Sequence, residues 1–264
     1  MNFWRNKLDP FTKLTTDLGP IYVDRMFECV SLDRKPRDWR NSHQNEKILL
    51  YLAYLEKISK SLNTNQKKFS NFYKGYFYQE LTKYQFDSKE RQFFMKQAVD
   101  HYNLYLDKAD VKDQVTYFAQ WQVGLLLEKL NYPWVVVQNL LSNACKTDPK
   151  RGETVKKLVD HYISVRDWPI AYEHSLLSIN CYYANNPIAI RHWYVDPDSY
   201  NWKVLDNHAQ ICLNISNQAE AEDTYVKLLH YVLNKSDEFD DTQIKQISGF
   251  RKKVGGRLSL ALND

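Results

Sequence analysis

The stretch that decides the fold is His208-Ala-Gln-Ile-Cys-Leu-Asn-Ile-Ser-Asn-Gln-Ala-Glu-Ala-Glu-Asp-Thr-Tyr225. Leu205, Ala209 and Cys212 recur at three- and four-residue steps, the period of one face of an α-helix. The pattern lapses at Ser216-Asn217 and resumes at Ala221, Tyr225, Leu228 and Val232. Asn217 and Glu220 have the spacing of a capping box, in which an acceptor and a return donor satisfy free backbone N–H groups at a helix start. The stretch therefore predicts two amphipathic helices joined by a turn too short for anything but an antiparallel pair.

The same grammar extends toward the N-terminus. Ala171 follows Tyr162 by the nine residues that separate Ala221 from Cys212. Gly124 occupies the small position of an earlier unit, with Leu127 and Leu140 downstream, and Ala98, Tyr102 and Tyr105 mark another. Small residues suit points where two helices cross closely, and large ones fill the gaps beside them. Between Pro36 and Pro133 there is no proline, and the only glycines are Gly75 and Gly124. A β-rich domain needs turn residues roughly every 8–12 positions, so helix is the only economical reading of that span.

The predicted elements are a helix over 43–62 and pairs at 67–84 with 88–107, 113–130 with 134–147, 151–166 with 168–181, and 200–215 with 218–234. A capping helix follows at 240–254. Residues 1–42 read as an irregular lead or cap, and 43–264 as one repeat domain. Helix starts are expected at Asp87 with Glu90, at Asp240 with Gln243, and at Asp148-Pro149, an acceptor followed by a proline whose missing N–H costs nothing there.

This register of small and aromatic residues resembles the tetratricopeptide repeat. The resemblance implies an all-α fold, a right-handed solenoid of antiparallel pairs whose first helices line a concave groove. A narrower resemblance rests on Tyr73-Lys-Gly-Tyr-Phe-Tyr, Asp148-Pro-Lys-Arg-Gly-Glu153, Asp167-Trp-Pro-Ile-Ala-Tyr172 and Tyr194-Val-Asp-Pro-Asp-Ser-Tyr-Asn-Trp-Lys-Val-Leu-Asp206. These resemble the helical repeat region that accompanies the catalytic domain of family 2 glycosyltransferases. The sequence departs from that pattern at Asn207, where an acidic residue is expected. The nucleotide-sugar site of that family lies on a separate α/β domain, and the 42 residues before the repeats are too few to hold one.

The groove face carries the candidate site: Arg151 and Glu153 at one helix start, then Trp193, Tyr194, Tyr200, Trp202, Asp206 and His208. Arginine beside aromatics is typical of binding hot spots. A structural reading competes with this one: Tyr200 and Trp202 seal the loop at 182–199, and Arg151 pairs with Glu153 or Asp148. Asp196-Pro-Asp198 has the letters of a metal-diphosphate motif, yet it introduces a helix, so turn and N-cap roles are expected.

Catalytic apparatus is not evident. There is no HExxH, GxSxG, Walker A, GxGxxG or CxxC, and the cysteines Cys29, Cys145, Cys181 and Cys212 lack metal spacing. No cofactor and no metal is expected, and His101, His161, His174 and His208 read as inter-helical histidines. A net charge of +4 is too slight for a nucleic-acid binder, and the basic groups at Lys146–Lys157 and Arg251–Arg257 read as solvated faces. The asparagine and lysine clamp of chaperone-binding repeats is not evident. No stretch of about 18 apolar residues forms a membrane span, the N-terminus lacks a signal-peptide core, and the cytoplasm is the expected location. Two functions follow as expectations. One is a non-catalytic scaffold for a protein or peptide, including a separately encoded glycosyltransferase. The other is an accessory binding a carbohydrate or nucleotide sugar.

Overall fold

The computed structural model describes residues 59–84, 87–109, 114–181 and 195–234, together with residues 45–57 apart from 46, 47, 50 and 54. Every regular element among them is helical: α1 (Thr64–Leu81), α2 (Ser88–Leu106), α3 (Gln114–Lys129), α4 (Trp134–Thr147), α5 (Glu153–Ser164), α6 (Trp168–Cys181), α7 (Trp202–Asn214) and α8 (Gln218–Asn234). A 3₁₀ turn, Pro197–Ser199, precedes α7. The described residues within 45–57 are helical, and 59–61 already turn. The all-α expectation holds, with helices packed as consecutive pairs α1–α2, α3–α4, α5–α6 and α7–α8. The lead at 1–42 and the capping helix at 240–254 lie outside the described residues. The chain divides into two compact units at Asp148 and Pro149.

Three of the pairs turn in the same way. Asn131, Arg166 and Ser216 each adopt a left-handed backbone, with φ of 60°, 60° and 63°. The next residue's N–H reaches back five positions, Tyr132 to Leu127, Asp167 to Tyr162 and Asn217 to Cys212, at 2.8–3.0 Å. This is the 6→1 bond that closes a helix and uses carbonyls otherwise left without partners. One turn geometry thus recurs at α3–α4, α5–α6 and α7–α8, although no glycine marks it.

In the first unit the core gathers around Phe72. Its ring meets Tyr102, Tyr105 and Phe118 at centroid separations of 5.4–6.0 Å. Such tilted and edge-on aromatic contacts add to the area they bury. Gly75 makes the α1–α2 approach possible, since a Cβ there would stand 2.8 Å from the Tyr102 ring. Gly124 does the same for α3 and α4, where Leu141 fills the space. Its expected role as the small crossing residue is borne out.

In the second unit Val159, Tyr162, Ala171 and Ile211 form one buried cluster, and Trp202, Val204, Leu205, Ala209, Tyr225 and Leu228 another. Ala171, Ala209 and Ala221 are fully buried, as their predicted places at helix crossings require.

Several helix starts differ from expectation. α1 begins at Thr64, earlier than 67, because Asn63 and Gln66 form a reciprocal capping box with bonds of 2.9 and 3.0 Å. Asp87 caps α2 through Lys89 and Glu90 N–H groups. Asp148 instead closes α4, Pro149 and Lys150 form a turn, and α5 starts at Glu153 behind an uncapped Gly152. The proline is used to turn the chain, and its expected role at the first helical position is corrected. Asp240 and Gln243 lie outside the described residues.

Candidate functional site

Arg151 enters the second unit just before α5 and is completely buried. A buried guanidinium demands a partner, and Glu153 supplies it two residues later: Nε to Oε2 at 2.9 Å and Nη2 to Oε1 at 2.8 Å. Glu153 is itself buried and sits in the first turn of α5, where the helix dipole favours a carboxylate. Its oxygens accept two further bonds, from the Tyr200 hydroxyl at 2.8 Å and the Asp196 N–H at 3.3 Å. The Tyr200 hydroxyl in turn accepts the Gly152 N–H at 2.9 Å. Burial, and then the Glu153 charge, hold the Tyr200 phenol well above its ordinary pKa. The knot ties the approach to α7 onto the start of α5.

α5 and the chain through α7 run in the same direction here: Tyr200 meets Glu153 and, seven residues or about two turns further along, Asn207 meets Asp160 at 3.5 Å, both pairs 47 residues apart. Outside the knot lies a polar strip. Lys156 bonds Asp160 at 3.0 Å, and Lys203 bonds Asp198 at 2.7 Å. Burial opposes the charge on Lys156, but Asp160, Asp196 and Asp198 outweigh it and raise its pKa. Asp198 is held below the usual carboxylate range, chiefly by Lys203. Asp198 and Lys203 have side chains 45% and 41% exposed, so this strip, unlike the knot, can meet a ligand.

Asp196 forms the expected turn, accepting the Asp198 N–H at 3.2 Å and the Ser199 hydroxyl at 3.0 Å. The N-cap of α7 is Asn201, whose side chain accepts the Lys203 N–H at 2.9 Å. Asp198 therefore does not cap. The intervening 3₁₀ turn shifts that duty to the first residue with extended backbone.

A second polar cluster lies where α6, α7 and α8 meet. His208 bonds Ser175 through Nδ1 at 2.8 Å and faces Glu220 Oε1 through Nε2 at 3.1 Å. Cys212, one turn along α7, sets Sγ 3.4 Å from the same Nε2. Tyr172 stacks on the imidazole at 5.7 Å and donates its hydroxyl to Glu220 at 2.6 Å. That bond, with burial, raises the Tyr172 pKa to about 12. Burial depresses the basicity of His208 and, with Glu220 nearby, pushes the Cys212 thiol up to about 12.

The groove residues predicted from sequence therefore part company. Arg151, Glu153 and Tyr200 come together, but inside the unit; Trp202 and His208 are also buried, and Asp206 is partly buried, where burial raises its pKa against a bond from Gln210. Trp193 and Tyr194 lie outside the described residues. The structural alternative holds for Arg151, which pairs with Glu153; of the loop at 182–199 that Tyr200 and Trp202 were expected to seal, 182–194 lie outside the described residues. Lys156 was read as part of a solvated basic face, and Asp160 and Lys203 were not singled out because their positions look like any exposed helix face; only the approach of α7 to α5 brings them near one another. The His208–Cys212–Glu220 set had a legible signal, a His-x₃-Cys step on one helix face with a glutamate eight residues on. No family model matches this chain, and no curated protein matches it.

Proposed function

We propose that this chain is a non-catalytic helical-pair scaffold that binds a protein or peptide partner on the polar strip between α5 and α7. The carrying observation is the division of labour around Glu153. Inside the knot, Arg151 holds Glu153 in place and Glu153 ties down the approach to α7 through Asp196 and Tyr200, while Lys156, Asp160, Asp198 and Lys203 offer both signs of charge outside it. A rigid surface carrying mixed charge gives register and specificity to a polar partner segment. The resemblance to repeats that accompany family 2 glycosyltransferases favours a separately encoded transferase as that partner.

The carbohydrate reading relied on Arg151, Tyr200 and Trp202. All three are buried, so among the described residues its binding groups do not face a ligand.

A displayed peptide library tests the proposal. Selection on the purified chain should recover a consensus segment whose binding weakens at least about tenfold in Lys156→Glu and Lys203→Glu, with the helical circular dichroism spectrum retained, since charge reversal at one contact is worth on the order of 1–2 kcal/mol. Peptides that bind both variants as well as the parent would place the contact elsewhere. Stabilisation by nucleotide sugars at millimolar concentration, with no peptide selected, would favour the accessory reading instead.

A further inference from the structure

Independently of that surface, we propose that His208, Cys212 and Glu220 form a binding site for a single Zn²⁺ ion, reached from the half-exposed side at Glu220. The three donor atoms lie within 4.8 Å of one another. Zinc accepts imidazole, thiolate and carboxylate at about 2.0–2.3 Å, so tetrahedral donors stand roughly 3.3–3.7 Å apart. Nε2 is 3.4 Å from Cys212 Sγ and 3.1 Å from Glu220 Oε1, close to the edges of such a tetrahedron.

Proton bookkeeping points the same way. Ser175 has one hydroxyl proton and donates it to the Tyr172 carbonyl at 2.8 Å. Its oxygen, 2.8 Å from Nδ1, then accepts from the ring. A neutral imidazole that carries its proton on Nδ1 offers Nε2 only as an acceptor, within reach of the Cys212 thiol at 3.4 Å, and sets it 3.1 Å from the Glu220 carboxylate. Two acceptors face each other there, and a cation between them removes the conflict. Tyr172 and Asn217 both donate to the other carboxylate oxygen, each at 2.6 Å, leaving Oε1 as the oxygen directed at the site. These bonds orient the ligands as outer-shell partners of metal sites do.

Charge also balances. A thiolate, a carboxylate and a neutral imidazole around Zn²⁺ sum to zero, the least costly total for a buried cluster. Binding forms three metal–ligand bonds and releases the Cys212 thiol proton to solvent. The fourth position faces Glu220, whose side chain is 30% exposed, and takes water.

The full chain, freed of metal by a chelator, is titrated with Co²⁺ and then Zn²⁺. The expected result is a one-to-one thiolate-to-cobalt charge-transfer band with tetrahedral visible bands, displaced by zinc. Cys212→Ala should abolish the band, and Ser175→Ala should keep it while weakening affinity by roughly 10–100-fold. A variant with Cys29, Cys145 and Cys181 all replaced by alanine should bind as the parent does, and it decides the matter should Cys212→Ala fail to fold. Absence of the band in the parent, its persistence in Cys212→Ala, or its loss in the variant that keeps only Cys212 would each overturn the site. In the first of these cases a plain His208–Glu220 ion pair is what the cluster holds.

Discussion

The Arg151 guanidinium grips the Glu153 carboxylate through two parallel bonds of 2.8–2.9 Å, and neither side chain has solvent-exposed surface. Two residues apart, they span the entry to α5 and hold Tyr200 of the next pair. An arginine that the sequence leaves open between a groove anchor and a partner for Glu153 or Asp148 is thus an internal strut.

Removing one partner strands the other charge. Arg151→Met should cost about 3–5 kcal/mol, whereas Arg151→Met with Glu153→Gln should recover a large part of it. Urea unfolding of the parent, both single variants and the double variant reads the coupling. Additive losses would mean the two side chains act separately.

Gly152, the residue before α5, has a packing role. A Cβ there would lie 2.7 Å from the Ser199 carbonyl oxygen, a backbone atom with little freedom to yield. At Gly124 the nearest atom is a Leu141 methyl at 2.9 Å, which a rotamer change can move. Gly152→Ala should therefore lower stability by roughly 1–3 kcal/mol and more than Gly124→Ala does. Equal melting temperatures for the two variants would contradict this.

Arg166 is exposed and holds φ at 60°, a conformation costing a side-chain-bearing residue about 1–2 kcal/mol. Glycine carries no such penalty, but it gains freedom in the unfolded chain. Arg166→Gly should raise stability by about 0.5–1 kcal/mol at the α5–α6 turn. Thermal unfolding decides the sign.

His174 stacks on Tyr162 at 5.4 Å, and its burial lowers its pKa below the usual 6.5 despite the neighbouring Glu173. The unfolded chain then takes up this proton first as pH falls. The stability contribution is present above about pH 6.5 and is lost as pH drops through the folded-state value. His174→Phe keeps the stack and removes the proton site. Between pH 7 and pH 5 it should lose less stability than the parent, measured by urea midpoints at both pH values.

Which parts were legible in the sequence follows from how local their causes are. The span 168–181 of α6 and the span 134–147 of α4 match their expected limits, since Trp168-Pro169 and Pro133-Trp134 mark starts that depend on nearby residues alone. Ala171, Ala209 and Ala221 were readable as crossing points because an alanine on an apolar stripe has few other uses. Asp148-Pro149 misled, because the same dipeptide serves a helix start and a turn, and here Asp148 closes α4. Arg151 stayed open between two readings for a similar reason: a charged residue's burial depends on whether a counter-charge folds onto it.

By itself, then, the order of residues determined that the chain makes antiparallel helix pairs, because helical periodicity, caps and crossing residues act over a few positions. Tertiary structure alone decided what those pairs bring together: Tyr200 on the strut of Arg151 and Glu153, the strip of Lys156 and Lys203, and Ser175 on His208. The physical reason is distance along the chain. Ser175 and His208 are 33 residues apart, and Glu153 and Tyr200 are 47. Hydrogen bonds between such residues exist only after the helices have packed, so no local pattern encodes them.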